Sequence, residues 1–286
     1  MNKLPTFETP AGGGLTSEMR MAFADAGVII LKGFADPQRC ADLRAHTLNL
    51  VERDAPASPQ SFFSTKSNVQ LSDDYFEKSA STISFFFEEE AGASGEKAAR
   101  PNKMGHAMHD LDPVFDKFSR TEGLANAAAS IGIDDPLIVQ SMYIFKPPGI
   151  GGEVECHQDS TYLLSEPESC VGFWFAIDDA DADNGAMAFI PGAHKGPLRK
   201  LNGRGNDGKL TTRVIDPAPF DGEPVLAPAE RGDLVIFHGR APHMSAANRS
   251  PRPRHAYTLH IVDGAARWPA ENWLQRPAGL PFRGFE

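Results

Sequence analysis

A chain of 286 residues with 41% apolar content can bury a sizeable core, and a β-sandwich or barrel of this length is commonly one domain. Its formal charge of −10 and pI of 5.4 exclude a general binder of nucleic acid or anionic membrane, which needs a basic footprint to neutralise phosphate. Three cysteines, Cys40, Cys156 and Cys170, are too few and too scattered for a disulfide framework or a thiolate metal site, and they suit a reducing compartment.

The first residues, Met1 to Thr6, lack the apolar stretch of a signal peptide, and no run of roughly 18 apolar residues follows. The final Arg283-Gly284-Phe285-Glu286 is not a peroxisomal address, so a cytoplasmic protein without a membrane span is expected. Leu15 to Asp25 is predicted as a helix capped by Thr16 and stopped by Gly27. Val28 to Leu31 follows as a short buried strand. Asp36-Pro37 then starts a second helix running to about Val51.

Residues 54–101 look irregular, with a strand-like Ile83 to Phe87 and an acidic Glu88-Glu89-Glu90 that is expected on a solvated face. Gly92 to Arg100 has the composition of a mobile lid loop. A third helix is predicted from Asp112 to about Gly132. From Leu137 onward the texture becomes short β-type runs: Leu137–Phe145, the segment around His157, Val171–Ile177, Ala186–Ile190, Leu234–Phe237 and Ala256–Ile261. Their spacing is that of a sandwich or barrel. The expectation is one domain over 1–286: a mostly helical prelude with lid loops (1–135), a β core (136–265) and a tail (266–286).

The chemistry concentrates in Val154-Glu155-Cys156-His157-Gln158-Asp159-Ser160-Thr161-Tyr162. On a strand, residues i and i+2 share a face, so His157 and Asp159 can grip one metal together. A two-histidine, one-carboxylate face suits non-haem iron(II) and leaves positions open for other ligands. His194, His238, His243, His255 and His260 are the downstream candidates for the third position, and spacing alone does not choose among them.

Residues from about 100 to 286 resemble the phytanoyl-CoA dioxygenase family, in particular its domain-containing-protein branch. The resemblance is carried by ordered blocks: Asn102 to Ala107, Gln140 to Lys146, His157-Gln158-Asp159, Asp183-Asn184-Gly185, Phe189 to His194, His243-Met244-Ser245 with Asn248 and Ser250, Arg254 to Thr258, and Glu271 to Leu274. It implies a mainly β fold with flanking helices around a double-stranded β-helix, the jelly-roll or cupin-like core. It also implies His157, Asp159 and His243 as metal ligands and catalytic residues, with His238 structural or supporting. The implied cofactors are Fe(II), 2-oxoglutarate as cosubstrate and dioxygen, with ascorbate stimulatory.

By the same resemblance Arg254 grips the distal carboxylate of 2-oxoglutarate from a strand beside the metal, a task for which the guanidinium fork is well matched. Ser245 adds a hydroxyl, and Lys103, Met142 and Trp174 line the cosubstrate pocket. Retention of Asp159 favours hydroxylation over halogenation. The substrate is expected to be a small molecule, with an anionic compound or CoA ester as one option, because Lys195 to Phe220 carries a basic surplus that otherwise reads as a solvated loop. His194 is expected in a loop near the site mouth, His106 and His109 near the substrate entrance, and Ser160, Thr161 and Tyr162 facing substrate. Two other classes remain at this stage: a cupin-like non-redox isomerase or hydrolase, and an inactive binding module.

Overall fold

The computed structural model describes residues 3–56, 60–63, 74–88 and 101–285. In chain order they form β1 (Thr6–Glu8), α1 (Ser17–Ala26), β2 (Val28–Lys32), α2 (Pro37–Asp54), β3 (Phe62–Phe63), α3 (Asp74–Lys78), β4 (Ile83–Glu88) and β5 (Pro101–His106). Helices α4 (Met108–Leu111), α5 (Pro113–Ser119) and α6 (Glu122–Ser130) follow. The remaining strands are β6 (Pro136–Ile144), β7 (Val154–His157), β8 (Val171–Ala176), β9 (Met187–Phe189), β10 (Lys200–Arg204), β11 (Leu210–Val214), β12 (Val225–Ala227), β13 (Leu234–His238), β14 (His243–Ser245) and β15 (Ala256–Asp263).

Local chemistry sets the first elements. Thr16 accepts from the Met19 amide to open α1, and Gly27 closes it at φ 75°, a conformation that costs glycine nothing. Asp36 caps α2 with Pro37 in its first turn. The predicted third helix divides, because Arg120 leaves helical geometry and Thr121 caps a new helix, α6. Arg120 is drawn out by tertiary contacts: its guanidinium reaches Asp110 at 2.8 Å and the Gly284 carbonyl at 2.7 Å.

A nine-stranded sheet has the order β1-β2-β13-β8-β15-β6-β5-β4-β3, antiparallel except at its outermost pairs, and a four-stranded antiparallel sheet has the order β12-β9-β14-β7. This is the expected jelly-roll layout. One face of the large sheet, with Phe173, Phe175, Ile236, Tyr257 and Leu259, packs on Phe23, Leu43, Leu50 and Phe115 of the helices. The other face, with Trp174, Val235, Phe237 and Ala256, packs on Met187, Phe189 and Ala227 of the small sheet. Strand alternation sends the two sets to opposite sides.

The sheet extends earlier than residue 136. Strands β2, β4 and β5 join it because Val28 to Leu31 and Phe85 to Phe87 are fully apolar, buried runs that need cover on both faces. Glu88 is buried rather than solvated, and accepts from Asn102 Nδ2 at 2.7 Å and the Gly152 amide at 3.2 Å. Glu89, Glu90 and the expected lid at Gly92–Arg100 lie outside the described residues.

The stretch 266–285 is anchored. Trp273 and Leu274 are buried, and Arg276 and Arg283 converge with Arg120 and His109 on Asp110. Burial raises the Asp110 pKa, but His109, Arg276 and Arg120 outweigh it and hold the carboxyl well below its ordinary range. In the basic loop, Lys195 pairs with Asp25, Arg199 with Asp216 and Arg204 with Glu77, and β10 and β11 form a hairpin there. Among the described residues, no helix is long and apolar enough to cross a membrane.

Candidate metal centre and its cavity

Strand β7 ends at His157, and Asp159 opens a 3-10 turn instead of continuing the strand. The Ser160 amide donates to the Gly239 carbonyl at 2.9 Å, and the Tyr162 amide closes the turn on the Asp159 carbonyl. Gln158 between them stays extended, with its buried amide fixed by the Pro197 and Arg240 carbonyls and the Arg199 amide. His157 and Asp159 therefore still point the same way. His243 opens β14 directly opposite His157.

These three side chains bring Nε2, Nε2 and a carboxylate oxygen within 4.8 Å of one another. Asp159 Oδ1 lies 3.4 Å from His157 Nε2 and 3.7 Å from His243 Nε2. His157 Nδ1 faces the Glu155 carbonyl at 2.8 Å, and His243 Nδ1 faces the Ala241 carbonyl at 3.0 Å. A carbonyl only accepts, so both Nδ1 atoms carry the proton and both Nε2 atoms present lone pairs. The donor set and its spacing fit one divalent ion.

His260 supplies a part that spacing did not assign. It is buried on β15, and its Nε2 lies 2.8 Å from Asp159 Oδ2. One carboxylate oxygen is thereby taken and the other, Oδ1, is left for the metal, an arrangement that orients ligands in metal sites. Burial pushes the Asp159 pKa up, yet His243, His260 and His157 hold it well below the usual carboxylate range. Burial lowers His243 to about 4, assisted by His157. For His157 the hydrogen bond and charge of Asp159 outweigh burial, and its pKa is raised. The two rings lie 4.3 Å apart beside one carboxylate.

All the sequence candidates, Lys103, Met142, Trp174, Ser245 and Arg254, line the same cavity of about 160 Å³ as the three metal-spaced residues. Arg254 lies two residues before β15 rather than on a strand, and is 2% exposed. Its backbone amide is tied to the Lys146 carbonyl, and its guanidinium stands 5.5 Å from the Trp174 ring centroid. Arg254 Nε and Nη1, Trp174 Nε1 and Thr258 Oγ1 are all buried with no hydrogen-bond partner among the described residues. Met142, Thr258 and Trp174 form one row across β6, β15 and β8. Unpaired buried donors are costly, so this wall is built for an anionic, oxygen-bearing ligand beside the metal.

The lining also holds a more apolar group, Phe76, Leu163, Tyr162 and Trp273, with His106 and Gln140. His106 Nδ1 contacts Ser79 Oγ at 2.7 Å. His109 turns away to Ser141 and Asp110. Of Ser160, Thr161 and Tyr162, only the tyrosine is a lining residue. Buried amine Lys103 is pushed down to about 7 by desolvation.

The other histidine candidates, His194, His238 and His255, do not line the cavity. His194 is buried in a 3-10 turn with its ring 5.4 Å from that of His238, away from the cavity. The Arg240 amide donates to His238 Nδ1, and His255 bonds the Tyr143 hydroxyl.

The family profile described as "Phytanoyl-CoA dioxygenase (PhyH)" matches residues 23–256. The chain belongs to the phytanoyl-CoA dioxygenase family. Within that family it is 42% identical over 275 residues to "Phytanoyl-CoA dioxygenase 1" of Oryza sativa subsp. japonica, covering 93% of this chain and 96% of the relative. It is 38% identical over 283 residues to "Phytanoyl-CoA dioxygenase domain-containing protein 1" of Danio rerio, covering 94% and 97%. Among solved structures, this family member resembles S. alaskensis EctD with 2-oxoglutarate and 5-hydroxyectoine (TM-score 0.64, 18% identity, 94% and 84% coverage). It also resembles the epimerase SnoN in complex with Fe3+, alpha ketoglutarate and nogalamycin RO (TM-score 0.65, 15% identity, 92% and 90% coverage). These likenesses are of fold.

Proposed function

We propose that this phytanoyl-CoA dioxygenase family member is an Fe(II)- and 2-oxoglutarate-dependent dioxygenase that hydroxylates a small organic substrate, coupled to conversion of 2-oxoglutarate to succinate and carbon dioxide. The observation that carries the reading is the buried guanidinium of Arg254, whose Nε and Nη1 have no hydrogen-bond partner among the described residues, in the cavity that also holds His157, Asp159 and His243. A cupin-like isomerase or hydrolase has no use for such a cation, and an inactive binding module has no use for the full ligand set.

His157 Nε2, Asp159 Oδ1 and His243 Nε2 would hold the iron. When bound, iron with 2-oxoglutarate and dioxygen supplies the oxidising power for C–H hydroxylation. The protein's own residues bind and orient. Arg254 receives the distal carboxylate by charge-assisted hydrogen bonds, the Ser245 hydroxyl adds to them, and Lys103, Met142 and Trp174 bound the cosubstrate. Phe76, Leu163 and Trp273 keep water from the substrate side.

The test is succinate release from 2-oxoglutarate with ferrous iron and ascorbate across a panel of small substrates. Asp159→Ala is expected to abolish it, and parent-level succinate from that variant would defeat the ligand assignment.

A further inference from the structure

Three sequence blocks that the metal centre does not use converge on one residue. They are the end of Gln140 to Lys146, Asp183-Asn184-Gly185, and Asn248. Lys146 follows β6, is 2% exposed, and lies at φ 36°, a left-handed conformation that a non-glycine residue keeps only where its surroundings impose it. Here they do. Asn248 Nδ2 donates to the Lys146 carbonyl at 3.0 Å and the Arg254 amide donates to it at 3.3 Å.

The side chain runs through a corridor kept open by two glycines. A Cβ on Gly185 would stand 2.4 Å from Lys146 Cε, and one on Gly151 would stand 2.7 Å from its Cγ. At the end of the corridor Nζ donates to the Gly152 carbonyl at 2.8 Å and to Ser245 Oγ at 2.9 Å. A serine hydroxyl has one hydrogen. With Nζ donating to its oxygen, that hydrogen is left for an acceptor in the cavity, where Arg254 Nε and Nη1 also await a partner.

We infer that Lys146 is a positioning residue of the cosubstrate site: it orients the Ser245 hydroxyl toward the carboxylate that Arg254 grips. The inference rests on the 2-oxoglutarate reading above. Burial, and then the charge of Arg254, hold the Lys146 amine down to about 6 against the opposing charges of Glu88 and Glu153.

The experiment uses the full chain loaded with Fe(II) under nitrogen, and calorimetry with two probes. 2-Oxoglutarate has the distal carboxylate, and pyruvate chelates through the same keto acid without it. Lys146→Met is expected to weaken 2-oxoglutarate about tenfold, the scale of one hydrogen bond to a charged group, while pyruvate binding moves less than about twofold. Ser245→Ala should lose a similar amount, and the double variant no more than the larger single loss, because the two act as one unit. Lys146→Gln, which keeps a donor, should recover part of the loss.

Unchanged 2-oxoglutarate affinity in Lys146→Met, fully additive losses, or pyruvate weakened as much as 2-oxoglutarate would each overturn the role. If Lys146→Met does not fold, the comparison of Lys146→Gln with Ser245→Ala decides by the same criteria. Failure of the parent itself to bind 2-oxoglutarate defeats the underlying reading and this one with it. Parent binding that Lys146→Met leaves intact defeats this one alone.

Discussion

Replacing Arg254 by Met is expected to move two measurements in opposite directions. The guanidinium is 2% exposed, with Nε and Nη1 unpartnered, and burial lowers its pKa to about 10 despite the opposing charge of Asp178. In the ligand-free protein it is therefore an uncompensated buried charge, and a similar-sized apolar side chain is expected to raise stability by about 1–3 kcal/mol. In the 2-oxoglutarate complex the same side chain makes charge-assisted hydrogen bonds worth about 1.5–3 kcal/mol, so affinity is expected to fall by roughly 10- to 150-fold. Urea unfolding of the ligand-free protein and calorimetry of the iron-loaded protein read the two effects separately. A ligand-free Arg254→Met protein less stable than the parent would refute the reasoning, because the guanidinium would then be satisfied by the protein itself.

His260→Ala, which frees Asp159 Oδ2, is expected to reduce iron affinity by about 10- to 100-fold, with partial rescue by His260→Asn; metal titration checks both. Asp110→Asn leaves Arg120, Arg276 and Arg283 facing a neutral amide, and should lower stability by about 3 kcal/mol in urea unfolding. Lys146 also gives a pH signature. Its amine titrates near 6 when folded against an ordinary 10.5, so between those values the unfolded chain binds more protons and stability rises with pH. The melting temperature of the ligand-free parent should therefore climb more steeply from pH 6 toward 10 than that of Lys146→Met, and equal slopes would count against the shift.

What the sequence revealed best was local. Thr16, Gly27 and Asp36-Pro37 bound their helices because capping is decided within a few residues. Trp174, which the family resemblance placed on the cosubstrate pocket, lines the cavity, and its strand neighbour Phe173 faces the helices. The candidate site residues came from ordered motif blocks, and the structure gathers them around one cavity. What stayed hidden was fixed by distant partners. Asp159 leaves the strand because Ser160 bonds Gly239; Glu88 is buried because Asn102 and Gly152 receive it; and the third helix breaks where Arg120 turns to Asp110 and Gly284. His260 looks in sequence like any histidine on an apolar strand, and its task appears only when β15 is laid beside the turn at Asp159.

The metal-spaced residues and the apolar lining of the cavity have separate origins in the chain. His157, Asp159 and His243 stand on paired strands and one tight turn, whereas Phe76 comes from a five-residue helix and Trp273 from the closing segment that Asp110 moors through Arg276 and Arg283. Changes in the latter pieces can reshape what enters without disturbing how oxygen chemistry is run. Such a protein can diversify by exchanging its guest list while inheriting its furnace unchanged.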